Sequence, residues 1–256
     1  MRSWLRHFLP FGVVRASQLA SEMTAIGVAG RHALAANAPY RWKQLNFDLL
    51  PAGALRAPQS RIVDVGSNAG HWAADVLWLR PAARLTCIEP DPRLARQLRA
   101  RFAGHAGVDV LETAVGDKAG TLDFRIMEDS VFNSARPPAA DVAAQYPATF
   151  RVLETIPVPV QTLDALLPGS DRIALLKIDV QGYEREVLAG ATRTLTLTDH
   201  VLMEVNFRPH YEGEADFFEL TRIMQQHGFS IGNYSEPKGG RKQALYADVL
   251  FVPSAS

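Results

Sequence analysis

The chain has 256 residues, long enough to bury one sizeable α/β core, and its 27 basic and 27 acidic residues cancel to a formal net charge of zero. That balance excludes the basic footprint of a nucleic-acid binder. A single cysteine, Cys87, excludes an internal disulfide and fits a reducing compartment, and its place in an apolar strand reads as core packing.

Residues 1–55 are Ala-rich with scattered aromatics and read as an N-terminal helical extension. Trp4, Leu5, Phe8, Leu9 and Phe11 form an apolar patch expected to pack on the body. Arg6, His7, Pro10 and Arg15 interrupt it, so it is neither a secretory leader nor a membrane span. The expectation is a cytoplasmic protein without a stable membrane span. A breaker-rich stretch with Pro51, Gly53 and Pro58 separates the extension from a catalytic-type domain over 56–256.

From Arg61 onward the rhythm is strand, helix, strand. The apolar run 62–65 ends in a Gly-rich turn, Gly66-Ser67-Asn68-Ala69-Gly70. A helix is expected over 71–79, a strand over 84–88 closed by Glu89, and a helix over 90–103 with Pro92 in its first turn. A third strand is expected over 108–114, ending in Ala114-Val115-Gly116-Asp117. Segments 121–126 and 156–162 are β-like, and the polar, Pro-containing stretch 129–155 between them reads as a long mobile loop walling a pocket. Strands follow at 175–179 and 200–205, helices at 183–188 and 216–227 with Gly228 as the stop, and an antiparallel pair at 230–234 and 247–252. The alternation predicts an α/β fold: a doubly wound, mostly parallel seven-stranded Rossmann-like sheet with a terminal antiparallel strand.

Ligands of such sheets bind at the carboxyl ends of strands, where Asp64, Glu89, Asp117, Asp179 and Glu204 gather. A glycine turn lets a ligand approach the backbone, and an acid closing the next strand suits a ribose diol. The second glycine of G-x-G-x-x-G is absent and Asp64 stands beside the turn. Both features disfavour a pyrophosphate, hence NAD, and favour a cationic adenosyl ligand, S-adenosylmethionine.

The motifs DVGSNAG, IEPD, AVGD, LLKIDVQGYEREVLAGA and MEVNF closely resemble the FkbM family of S-adenosylmethionine-dependent methyltransferases, over about Arg61 to Val252. The resemblance implies a cofactor site made of Asp64, Gly66, Ser67, Asn68 and Gly70 at the methionine end, Glu89 on the ribose hydroxyls, and Val115 and Asp117 at the adenine. It places Asp179 facing the reacting methyl group. Methyl transfer to an alcohol needs alignment and a base; the candidates are Asp179 and Glu204, with His210 and His71 behind them. Glu184, in the first turn of a helix, reads as a structural acid. Asp179, Glu204 and Asn206 could alternatively hold magnesium, but the reading adopted here uses no metal. The function expected is O-methylation of a hydroxyl on a sugar, glycan or secondary metabolite, the partner being a small-molecule or glycan acceptor. The competing reading is a catalytically silent cofactor-binding or interaction module.

Overall fold

The computed structural model describes residues 60–240 and 243–254, together with Asn46, 49–51, Ala54 and Leu55. The chain divides into two units, Met1–Asp48 and Leu49–Ser256. The N-terminal helices and the aromatic patch expected from the sequence lie almost wholly outside the described residues.

In chain order the elements are β1 (Arg61–Val65), α1 (His71–Leu79), β2 (Arg84–Ile88), α2 (Pro92–Arg101), β3 (Val108–Leu111), β4 (Ala114–Val115) and β5 (Gly120–Met127). A 3₁₀ turn (Ser130–Phe132), α3 (Ala140–Gln145), β6 (Val152–Gln161), α4 (Leu163–Leu166), β7 (Leu175–Ile178), α5 (Glu184–Ala189) and α6 (Thr192–Thr196) follow. The chain then continues through β8 (Val201–Asn206), α7 (Phe217–Gln226), β9 (Phe229–Tyr234), β10 (Lys238–Gly240) and β11 (Gln243–Pro253). The main sheet runs β3-β2-β1-β7-β8-β11, parallel from β3 to β8 and antiparallel at β11. Tyr246 pairs with Asn206 on one side and Lys238 on the other, so β10 lies on the outer edge of β11, the edge that β9 also pairs. The two pieces share the seventh position of a mostly parallel α/β sheet, as expected.

Strand periodicity splits the sheet into two faces. On one, Val63, Val65, Leu176, Ile178, Met203, Val205 and Phe251 join Val187 and Leu188 of α5 and Leu220 and Met224 of α7 in the main core. The other face carries Ile62, Leu85, Leu175, Leu202 and Leu250, all buried, but also Asp64 and Lys177 side by side in register. Cys87 lies next to Asp64 in the adjoining strand, buried and free of any disulfide, and its thiol is pushed up to about 12 by burial.

Two expectations change. The single strand 108–114 is two strands in two sheets, because the Thr113 hydroxyl donates to Pro159 O (3.0 Å) or to its neighbour Ala114 O. The chain turns there to pair β4 with β6, in a second sheet of order β4-β6-β5. The stretch 129–155 is not an irregular loop. It holds the 3₁₀ turn, α3 and the start of β6, and Val142 and Phe150 pack with Met127 and Tyr211 in a small core of their own. The sequence gives no expectation of α4, α6 or β10.

Gly66 fixes how closely the two central strands approach. Its φ is +83°, and a Cβ there would stand 1.8 Å from the backbone oxygen of Asp179. Gly228 also has positive φ, at +80°, but faces open space. Gly66→Ala is therefore expected to cost more than about 3 kcal/mol, because backbone meets backbone. Gly228→Ala should cost only about 1–2 kcal/mol, the strain of its φ alone. Urea unfolding of both variants checks the contrast; equal losses would contradict it.

Candidate active site

The site is built on the carboxyl ends of β2, β1 and β7. Beyond β1 the chain turns through Gly66 and Asn68, both at positive φ, and the amides of Gly66 and Ser67 donate to Ile88 O (3.0 and 3.1 Å). Ser67 Oγ closes the turn onto Asp64 O (2.8 Å). Asn68 then reaches three ways. Its amide donates to Glu89 Oε2 (2.7 Å), its Nδ2 donates to Ser130 O (2.7 Å), and its Oδ1 accepts from the Ala69 amide (2.6 Å). Gly70 has φ +73°, and a Cβ there would strike Leu98 and Phe102, so its smallness serves the packing of α2.

Glu89 is buried. Its Oε2 accepts from Asn68 and its Oε1 from the Asp91 amide (2.9 Å). Burial pushes its carboxyl up to about 7, against the pull of those two backbone donors and with a smaller push from Asp91.

Where the register of the strands is carried one step beyond their ends, Glu89, Gly66, Asp179, Glu204 and Asp248 fall in one row across the sheet. Two residues back along the strands, the next row on the same face holds Cys87, Asp64 and Lys177. Lys177 Nζ lies 3.3 Å from Asp64 Oδ1 and 3.2 Å from Asp179 Oδ2, with the Trp72 ring centroid at 5.7 Å. Burial pulls the Lys177 pKa down, but the Asp179 and Asp64 carboxylates outweigh it and the net shift is upward. Asp64 is fully buried, and its carboxyl is raised by burial in spite of Lys177.

Gln181 joins the row together. It stands at φ +55°, a conformation that strains a residue other than glycine. Its Nε2 donates to Asp179 Oδ1 (2.8 Å) and to Glu204 Oε1 (3.0 Å), using both hydrogens, while its Oε1 faces the Tyr211 hydroxyl (3.0 Å). The reversed amide would point an oxygen at two carboxylates. The Glu204 carboxyl is raised well above its usual range, by burial first and then by Asp179 and Asp248. Glu184 is buried too, accepts from the Val180 and Gly182 amides (3.2 Å each), and is pushed up to about 8 by burial and by Glu214.

The segment after β5 covers this floor. Ser134 Oγ donates to Gln181 O (2.6 Å), and Arg136 binds Gly182 O (2.8 Å) and Glu186 (2.7 Å). Between floor and wall lies an open cleft of about 690 Å³, counting space continuous with solvent.

Of the residues singled out in the sequence, Gly66, Asn68, Glu89, Val115 and Asp179 line this cleft. Asp64, Ser67 and Gly70 stand behind it, Asp117 is exposed outside it, and Glu204 reaches it through Gln181. His71 is exposed, and His210 packs between Phe150 and Tyr246; neither lines the cleft. Asn206, considered as a magnesium ligand, donates instead to Glu214, and no group of three acidic, His or Cys side chains placed to hold a metal occurs among the described residues. The sequence reading passed over Lys177, Gln181 and Asn133. For Lys177 a signal existed: a lysine inside an apolar strand needs a buried acid beside it.

A parallel sheet in this order, with a cleft over the ends of its central strands, defines the Rossmann-like methyltransferase class. Residues 64–231 match the methyltransferase FkbM domain, and the chain belongs to the FkbM methyltransferase family, whose methyl donor is S-adenosylmethionine. The 2-O-methyltransferase NoeI of Sinorhizobium fredii is 33% identical over 179 residues, covering 66% of this chain and 73% of that protein. The 31-O-demethyl-FK506 methyltransferase FkbM of Streptomyces tacrolimicus is 27% identical over 237 residues, covering 82% and 89%. Among solved structures, methyltransferase FkbM from Methylobacillus flagellatus shares the fold, with a TM-score of 0.51 at 15% identity over 76% of this chain and 46% of that chain.

The cleft fits an adenosyl group. An ionised carboxylate offers about four acceptor positions, and Glu89 uses two on backbone amides, leaving two for a diol.

The raised carboxyl of Glu89 has a consequence for stability. The folded chain holds that proton more tightly than the unfolded chain, so its contribution is complete below pH 4.5 and is lost as pH rises through about 7. Relative to Glu89→Gln, which does not titrate, the cofactor-free wild type should lose about 3 kcal/mol between those limits. Parallel denaturation of both proteins from pH 4.5 to 8 measures this; a constant difference would contradict it.

Proposed function

We propose that the protein is an O-methyltransferase that moves the methyl group of S-adenosylmethionine to a hydroxyl of a sugar, glycan or secondary metabolite. The observation that carries this reading is the neighbourhood of Asp179. This carboxylate lines the cleft beside the Gly66 turn, braced by Lys177 on one oxygen and Gln181 on the other. The names of the relatives, a 2-O-methyltransferase and a 31-O-demethyl-FK506 methyltransferase, support an oxygen acceptor. The balanced charge of the chain disfavours a nucleic-acid acceptor. Among the described residues no helix is long and apolar enough to cross a membrane; we place the enzyme in the cytoplasm, where Cys87 stays reduced.

In this reading Glu89 accepts the ribose hydroxyls, Gly66, Asn68 and the turn between them carry the methionine end, and Val115 borders the adenine, while Asp117 stays exposed outside the cleft. Ser67, Gly70 and Asp64 shape the turn from behind. When bound, S-adenosylmethionine supplies an electrophilic methyl group on a sulfonium. Asp179 accepts the proton that the acceptor hydroxyl must lose, and Glu204, its own carboxyl raised by burial and by Asp179, shares the Gln181 amide with it. The wall over 129–139 limits water at the reacting oxygen.

Asp179→Asn keeps the shape and removes the base. Transfer of labelled methyl from S-adenosylmethionine into glycan and metabolite extracts should fall by about 10²-fold or more. The affinity for S-adenosylhomocysteine should stay within about twofold, because the mutated atoms face the acceptor. Retained transfer with lost cofactor binding would assign Asp179 to the cofactor instead.

A further inference from the structure

Among the described residues, buried side-chain nitrogen or oxygen atoms without a hydrogen-bond partner occur on Asp64, Asn133, Glu186, Asn206 and Thr221. Of these five residues only Asn133 lines the cleft. It is 7% exposed, and the atom left unpaired is Nδ2. The orientation of its amide is dictated locally: Oδ1 accepts from the Met127 amide at 2.8 Å, and reversing the group would set two donors against each other. A buried donor with no partner is costly unless something else satisfies it.

Its setting is rigid. Asn133 closes the 3₁₀ turn, with its amide donating to Ser130 O (3.2 Å). On its two sides, Phe132 O accepts from Tyr211 (3.0 Å) and Ser134 Oγ donates to Gln181 O. Asn68 ties Ser130 O to the same glycine turn that holds Glu89. Asn133, whose buried Nδ2 has no partner, and Glu89, which has lone pairs to spare, thus line one cleft. A ligand that satisfies both must offer hydroxyl hydrogens to the acid and lone pairs to the amide. A nucleoside does, with its ribose diol and with its ring nitrogens and ribose oxygens.

We propose that Asn133 is a cofactor-binding residue whose Nδ2 donates to a lone pair on the nucleoside half of S-adenosylmethionine. This rests on the reading of the cleft as the cofactor site, and it makes the wall segment, not only the sheet, part of that site. It also gives the wall a reason to be fixed: the donor is held in place before the ligand arrives.

Asn133→Asp tests it. The aspartate is isosteric, keeps an oxygen on the Met127 amide and puts an acceptor where the donor was. Calorimetric titrations would use S-adenosylhomocysteine and 5′-methylthioadenosine, which lacks the amino-acid end. Both should weaken by about tenfold or more in the variant, since both carry the nucleoside. The wild type gives a second readout that needs no stable variant: the side-chain amide proton resonances of Asn133, assigned through the backbone, should shift on adding S-adenosylhomocysteine. Affinities within about twofold of wild type, together with unmoved resonances, would overturn the proposal. Weakened binding of S-adenosylhomocysteine alone would place the contact at the amino-acid end and overturn the nucleoside assignment. If wild type binds neither ligand, the cleft is not the cofactor site and the proposal falls with that reading.

Discussion

The arrangement depends on one buried cation. Lys177 sits inside an apolar strand with its ammonium between Asp64 and Asp179. Without it, two carboxylates on neighbouring strands would face each other in a medium of low dielectric, with Glu204 and Asp248 continuing the row of acids. With it, Asp64 is neutralised behind the cleft while Asp179 remains available in front. Asp64 looks, in sequence, like an acid for a cationic ligand. In the structure the cation it serves is the protein's own, and the carboxylates left facing the cleft are Glu89 and Asp179. The two differ in how they are held, Glu89 by backbone amides and Asp179 by the side chains of Lys177 and Gln181.

That difference separates two halves of the site. Apart from Asn133, the half proposed for the cofactor is made of main chain, namely a glycine turn, strand ends and amides pointing at one carboxylate, and it follows directly from the sheet. The half proposed for the acceptor is made of side chains from distant segments. Tyr211, from beyond β8, meets Gln181, from beyond β7, and the wall from beyond β5 closes on both. On this proposal, variation in the wall away from Asn133 can change the acceptor without disturbing the sheet, and a change at Gln181 touches both halves at once.

The sheet half was legible in the sequence. Apolar runs ended by Gly66, Glu89 and Asp179 mark strand ends by composition alone, and α1 and β2 have the bounds expected from periodicity and caps. The wall was not legible. Nearly half of the apolar residues in 129–155 are alanines, which bury little, and what orders the stretch is Phe150 and Val142 packing on Tyr211, a contact across more than sixty positions that no local pattern announces. The third strand splits where Thr113 turns the chain and β4 takes up pairing with β6 instead of β2. Asn133 carries no local signal at all; its significance comes from one amide hydrogen bond spent on Met127 and one donor left over.

The most direct test of the account is a double-mutant comparison at Asp64 and Lys177 by urea unfolding at neutral pH. Lys177→Met should cost about 3–5 kcal/mol, the loss that follows when a buried charge is stripped of its partner. Adding Asp64→Asn should recover part of that loss, because the stranded charge is then removed. A Lys177→Met protein within about 1 kcal/mol of wild type, or a double variant no better than the single, would contradict the claim that this cation holds the row of acids together.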